Sequence, residues 1–294
     1  FYSDVAVVTT AQKIQVRGLL QSLGVPYRAD EEAAAIAEML GRMRELAASA
    51  GGAPPAPEAP PATYVAGLAK LGGNSQILAV WTQRDQILAD FKTWSRDKEQ
   101  IEARLPRWRL LQQSLQHAKD LPAAQPIAAQ AKAIDDTRAL LADPDPVSPL
   151  VTQLAELLRE ALQEKRRLVV DTRAGVLQAL RDTDEWQRLQ THDKQRLEAK
   201  HQLDAVPVVD VGTDEALVQS LDATPLHQWD TLAQALPTRA AAARDEAVKL
   251  VRPEVEKVVP PPVILTTETE VDTYLKQLRV RIMQTIKAGR PVQI

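Results

Sequence analysis

From Asn74 to about Arg104 the chain keeps apolar residues on one side of a helical wheel, over roughly 45 Å at 1.5 Å per residue. Ile77, Trp81, Leu88, Phe91, Trp94 and Ile101 carry this stripe. A stripe that long is satisfied by one long helix whose single apolar side is covered by other helices. Leu105-Pro106 then predicts a break, because proline lacks the N–H that an inner helical turn uses. Pro106 suits the first turn of a returning helix carrying Trp108, Leu111 and Leu115. The two pieces predict an αα-hairpin, the seed of an antiparallel coiled coil.

The same pattern recurs downstream. Pro122 and Pro126 mark a corner, followed by a helix through Ile134, Leu140 and Leu141. Asp143-Pro144-Asp145-Pro146 stops it, since proline and Asx side chains favour turns. From Leu150 a second long stripe runs through Leu154, Leu157, Ala161, Leu168, Thr172, Val176 and Leu180. Trp186 and Leu189 open its partner, which fades near Leu203. Upstream, the β-branched run Val5–Thr10 reads as a short strand or an extended lead-in. Ile14, Leu19, Leu20 and Leu23 predict a helix ending near Gly24. Asp30 is the candidate N-cap of a helix carrying Ile36, Met39, Leu40, Met43 and Leu46. Gly51–Thr63 holds five of the 20 prolines and reads as a linker or wrapping loop without core residues.

The character changes after Ala205. Val206–Val211 looks like a strand, and Gly212-Thr213 turns it into a short helix ending near Leu221. Thr224-Pro225 is an N-cap with proline at the first helical position, opening a helix with Leu226, Trp229, Leu232 and Leu236 on one face. An alanine-rich helix follows, with a kink expected at Pro253 and a stop at Pro260–Pro262. Val263–Leu265 is strand-like, and Thr267 with Glu270 fits a capping box. Val271, Tyr274, Leu278, Ile282 and Ile286 then predict a buried stripe, ended by Gly289 and Pro291. A small sheet joining 206–211, 263–265 and 292–294 is expected. The fold class is mainly α: long antiparallel helical hairpins, coiled-coil-like, with a small α/β C-terminal subdomain. The expected division is 1–63 (helical segment and Pro-rich linker), 64–205 (long hairpins) and 206–294 (mixed α/β).

Composition narrows the chemistry. Of 294 residues 45% are hydrophobic and 26% charged, an ordinary globular balance. Aromatics at 4% and only 11 glycines argue against a β-sandwich or barrel. Cysteine is absent, which removes disulfides, thiolate metal sites and cysteine nucleophiles. No uncharged apolar run reaches the roughly 18 residues that span a bilayer; Leu71–Gln83 is the longest and contains Gly72, Gly73 and Asn74. No signal peptide is visible. A cytoplasmic protein without membrane contact is expected. The first residue is Phe1 rather than Met, which fits a segment of a longer chain.

No Gly-Lys pair occurs, so the standard phosphate-binding loop is missing, as are G-x-G-x-x-G and G-x-S-x-G. His117, His192, His201 and His227 lack metal-ligand spacing. The reading is His117 packed at a helix end and the other three solvated. Asp135-Asp136 and Asp184-Glu185 are neighbours that diverge by about 100° on a helix and read as caps or solvated faces. No catalytic, cofactor-binding or metal-binding residue is therefore expected. Two basic clusters are the candidate nucleic-acid contacts: Arg104, Arg107 and Arg109 around Trp108, and Lys165-Arg166-Arg167. The competing reading is an ion-paired helical surface, in keeping with the net charge of −3. The five tryptophans, Trp81, Trp94, Trp108, Trp186 and Trp229, sit at stripe positions and read as packing anchors.

Several strings stand in an order that carries a family resemblance: Leu71-Gly-Gly-Asn74, Ile101-Glu-Ala-Arg-Leu-Pro-Arg-Trp108, Leu115-Gln-His-Ala-Lys-Asp-Leu-Pro122, Asp143-Pro-Asp-Pro-Val-Ser-Pro-Leu150 and Lys287-Ala-Gly-Arg-Pro-Val292. Over most of its length the chain resembles the C-terminal helical region of the large P-loop ATPases of BREX-type phage defence, the BrxC and PglY proteins. The resemblance implies a non-catalytic arm that docks protein partners of a defence complex or transmits nucleotide state. It places ATP and Mg in a module outside this sequence. The rival readings are a stand-alone coiled-coil scaffold or homo-oligomerisation module, a nucleic-acid-binding helical module that contacts DNA, and a hydrolase with dispersed residues.

Overall fold

The computed structural model describes residues 7–27, 31–251, 256–288 and 292–293. In chain order the helices are α1 (Thr10–Ser22), α2 (Glu32–Ser49), α3 (Thr63–Ala69), α4 (Gly73–Thr82), α5 (Arg84–His117), α6 (Gln125–Asp136), α7 (Ser148–Arg181), α8 (Asp184–Arg188), α9 (Thr191–Lys200), α10 (Asp214–Ala223), α11 (Leu226–Val251) and α12 (Glu268–Lys287). Two short 3-10 turns, Pro122–Ala124 and Ala139–Leu141, flank α6. Among the described residues the β-structure is one parallel pair, β1 (Glu256–Lys257) with β2 (Val292–Gln293). The fold is mainly α, as the composition predicts.

The chain forms two compact units: Phe1–Ala161 with Val209–Ala223, and Leu162–Val208 with Thr224–Ile294. In the first, α1 to α4 and the start of α5 enclose Leu20, Ile36, Met39, Leu40, Met43, Val65, Val80, Ile87 and Trp94. Along α5 the buried positions Ile87, Trp94, Ile101 and Trp108 fall every seven residues. A seven-residue repeat keeps a narrow seam on one side of a helix, the coiled-coil spacing. Leu88 and Phe91 of the expected stripe lie half-buried at its margin. In the second unit α8 and α9 pack on α11, and Trp186 and Trp229 are its largest fully buried side chains.

Proline is where sequence and structure part most clearly. Helix α5 runs through Pro106 to His117, so the expected break and return are not there. Helix α11 likewise runs through Pro237. Both prolines are exposed. The lost N–H bond frees a carbonyl one turn back; for Pro106 this is on Glu102, whose residue also faces water. Solvation there offsets part of the cost, and the seam on the opposite side holds the helix together. The kink expected at Pro253 lies outside the described residues, as do Asp30, Gly289 and Pro291.

Of the expected three-stranded sheet only Val292–Gln293 is a strand among the described residues, and it pairs with β1 instead of with 206–211 or 263–265. Residues 206–211 and 263–265 are extended coil; Val208 is 95% exposed and Ile264 91%. Their β-branched composition describes a preference for a half-covered pleated surface, and no neighbouring strand supplies one. Of the Val5–Thr10 run, Val5 and Ala6 lie outside the described residues, while Val7 to Thr9 are non-regular and lead into α1. Thr9 caps that helix in a capping box with Gln12. The Pro-rich loop is tied down: Arg138 Nη1 donates to Gly52 O at 2.9 Å and Ala56 O at 3.3 Å, and Leu140 N–H donates to Pro55 O at 3.1 Å. Pro55 and Ala56 are buried, so this loop contributes to the core after all.

Candidate interaction surface

The two basic clusters are largely occupied by structural work. Arg104 Nη1 donates to Leu140 O and Ala142 O, both at 2.8 Å, and its Nε lies 3.9 Å from the Asp145 carboxylate. Arg107 Nη1 donates to Ser148 Oγ at 2.6 Å. Asp145 accepts from Val147 N at 2.9 Å and from the Ser148 hydroxyl, which anchors the first turn of α7. Burial pushes the Asp145 carboxyl up, but Ser148, Val147 and Arg104 together hold it below the usual range. Trp108 between these arginines is 7% exposed and faces the core, not a ligand. Arg109 is exposed, with no hydrogen bond or ion pair among the described residues.

On α7 the buried positions are Leu150, Val151, Leu154, Ala155, Leu158, Leu162, Val169, Leu177 and Leu180, while Leu168 of the expected stripe is 49% exposed. The gaps in this seam hold cations. Lys165 Nζ donates to both oxygens of Asp230, at 2.7 and 2.8 Å. Arg173 donates to Leu203 O at 2.6 Å and Asp204 O at 2.8 Å. Arg166 and Arg167 stand in solvent without a partner among the described residues. So three of the six candidate contacts, Arg109, Arg166 and Arg167, are left uncommitted.

The histidines divide differently from expectation. His192 and His227 are exposed. His117 pairs with Asp222 at 3.0 Å, and His201 lies 3.0 Å from Glu246 instead of being solvated. Lys200 reaches the same carboxylate at 2.7 Å, and Lys200 first, then His201, holds Glu246 below the usual carboxylate range. Among the described residues no three His, Asp or Glu side chains are grouped to hold a metal ion. Nor is any described helix long and apolar enough to cross a membrane.

What the sequence does not foretell is the surface of α12. The helix starts as predicted: Thr267 Oγ1 accepts from Glu270 N, and the Glu270 carboxylate accepts from Thr266 N at 2.8 Å, the Thr266 hydroxyl at 2.9 Å and Thr267 N at 3.0 Å. These bonds, that from Thr266 N–H largest, hold Glu270 below the usual carboxylate range. Its shifted carboxyl is thus a cap and not an acid waiting for a substrate. The expected buried stripe is not buried. Val271 is 37% exposed, Leu275 54%, Val280 56%, Met283 43% and Ile286 50%. Tyr274, Leu278 and Ile282 are half-buried, and only Thr285 is buried.

Little of the unit covers α12. Strand β2 packs against it, and the Tyr274 hydroxyl donates to Pro261 O at 3.2 Å. Val263, Ile264, Leu265 and Tyr274 line an open groove of about 350 Å3 along its first turns. An amphipathic helix with this much apolar surface in water is the candidate interaction surface among the described residues. Periodicity locates the row of residues; whether another element covers it is a tertiary fact. Compared with protein-family models, curated proteins and solved structures, the chain matches none of them.

Proposed function

We propose that this chain is a non-catalytic helical region that docks protein partners through α12 and the extended segment before it. The observation that carries this reading is the row of large apolar side chains left in water on α12. Long helices elsewhere in the chain suit such a role. Two 34-residue helices, α5 and α7, bury apolar seams and fix Arg104, Arg107, Lys165 and Arg173 on carbonyls, a hydroxyl and a carboxylate. The sequence resemblance supplies the setting: a large phage-defence ATPase of the BREX kind, with ATP and Mg held by another module, and a cytoplasmic complex as its place of work.

The test uses the intact gene. Val271→Asp with Leu275→Asp alters exposed positions only, so the helix keeps its cap and its fold. The expected result is loss of phage protection with the protein still present at its normal level. Undiminished protection overturns the docking reading. The setting is checked by the reading frame upstream of Phe1: a Gly-Lys-[Ser/Thr] loop sustains the ATPase parent, and its absence removes it.

A second reading, DNA contact, has a specific observation in its favour. Arg109, Arg166 and Arg167 are exposed and carry no partner among the described residues. They are the side chains that would meet phosphates.

A further inference from the structure

We infer that the apolar row of α12 is closed by α12 of a second copy of this chain, running antiparallel. The inference rests on the reading of α12 as a docking surface and names its occupant.

The argument begins with spacing. Val271, Leu275, Leu278 and Ile282 are separated by four, three and four residues. That is the a/d alternation of a coiled-coil seam. It also reads the same in both directions. A palindromic seam placed antiparallel on itself brings Leu275 opposite Leu278 of the second copy, and Val271 opposite Ile282. The exposed pair of each copy, Val271 and Leu275, then lies over the half-buried pair of the other. A two-fold axis relates the contacts, the commonest symmetry of soluble homo-oligomers.

Charge selects the direction. Asp272 and Arg279 are seven residues apart and flank the seam on the same side. In the antiparallel register each Asp272 faces Arg279 of the other copy, twice per dimer. On the other flank Tyr274 meets Arg281 of the other copy, a ring beside a guanidinium. A parallel pair matches Tyr274 with Arg279 and Arg281 with Ile286, and makes no ion pair across the seam. Acidic residues at the start of α12 and basic ones toward its end also suit the helix dipole. The dipole gives no reason for Val271 and Leu275 to stand in water; a partner on this seam does.

A seam of one 20-residue helix pair is a small interface, of the class formed by weak and transient complexes with dissociation constants in the micromolar range. Light scattering on these 294 residues at about 100 µM, well above that range, is expected to give twice their mass of 32.4 kDa. Leu275→Asp is expected to return the monomer with unchanged circular dichroism, because that side chain is 54% exposed. Asp272→Arg alone and Arg279→Asp alone are each expected to weaken the dimer about tenfold, since two attractive pairs become repulsive. Mixed together, these two variants restore association, each supplying the charge that the other lacks. A monomer at this concentration, a dimer indifferent to Leu275→Asp, or a mixture that stays monomeric overturns the inference. Phage protection separates the two levels. A monomeric chain whose protection still depends on Val271 and Leu275 keeps the docking reading and loses the second copy; protection independent of both loses the reading as well.

Discussion

Arg17 and Glu32 show how a single pair can be read for stability. Glu32 is 7% exposed, a carboxylate taken out of water at the start of α2. Arg17 Nη2 donates to it at 2.8 Å, the Tyr27 hydroxyl donates at 3.4 Å, and the Arg17 guanidinium lies 4.8 Å from the Tyr27 ring centre. The Arg17 bond, the largest influence, holds the Glu32 carboxyl below its usual range against the opposing effect of burial. Arg17→Ala leaves a buried charge with a weak remaining donor, and because Arg17 is itself 38% exposed the expected cost is about 1–2 kcal/mol. The sign with pH follows from the depressed value. The pair contributes fully above the unfolded glutamate pKa of about 4.3 and is lost as pH falls through the lower folded value. Urea denaturation at neutral pH and again at acid pH should show the gap between wild type and Arg17→Ala closing on acidification. A gap that persists in acid assigns the effect to packing instead. Caps are the most legible features at this scale: Thr267 and Glu270 were expected from their spacing and form the box. The equivalent box at Thr9 and Gln12 follows β-branched residues that point to a strand, so its helix start is not signalled in the sequence.

At the scale of elements, the sequence locates most helices but has none at α3, runs α4 into α5 across Gln83 and α8 into α9, and misplaces other ends. The reason is that propensity is local while termination depends on what surrounds the terminator. Thr213 Oγ1 accepts from Ala216 N at 3.1 Å and caps α10, as the sequence indicates, although the strand expected before it is coil. Pro106 is the sharpest case. A proline in a helix interior removes one bond and crowds the preceding turn, a cost of about 3 kcal/mol relative to alanine. Here Ile101, Trp108 and Leu111 are buried on either side of it and keep the helix continuous. Pro106→Ala therefore restores a bond to Glu102 O without touching the seam and is expected to stabilise the first unit by about 1–3 kcal/mol. Denaturation followed by tryptophan fluorescence reads it, since Trp94 and Trp108 lie on this helix. Destabilisation by Pro106→Ala would mean that a bend at this residue is required by the packing. The surface row of α12 is the converse case. Its period was legible and its exposure was not, because a sequence pattern states which side is apolar and leaves open which molecule covers it.

For the molecule as a whole, charge weighs against the DNA reading. A net charge of −3 opposes a polyanion. Ion pairing lowers the number of available cations further, since Lys165 is held by Asp230 and Arg104 by two carbonyls and Asp145. What remains of the sequence-level clusters is Arg109 on α5 with Arg166 and Arg167 on α7. Arg109 of the first unit could neutralise one phosphate, and Arg166 with Arg167 of the second two, so log K at either would fall with log salt at a slope of roughly 2 or less. Such a slope describes a contact seen at low salt and gone near physiological ionic strength. The expected outcome of a titration at two salt concentrations is therefore no binding at about 0.15 M. Arg166→Glu with Arg167→Glu should abolish whatever binding low salt permits, and should leave the fold intact because both side chains stand in solvent. Binding that survives at the higher salt and is lost in this double variant would make DNA a partner in its own right. Under the docking reading the same double variant leaves phage protection unchanged, whereas substitutions on α12 remove it, so the two surfaces can be separated in one set of strains.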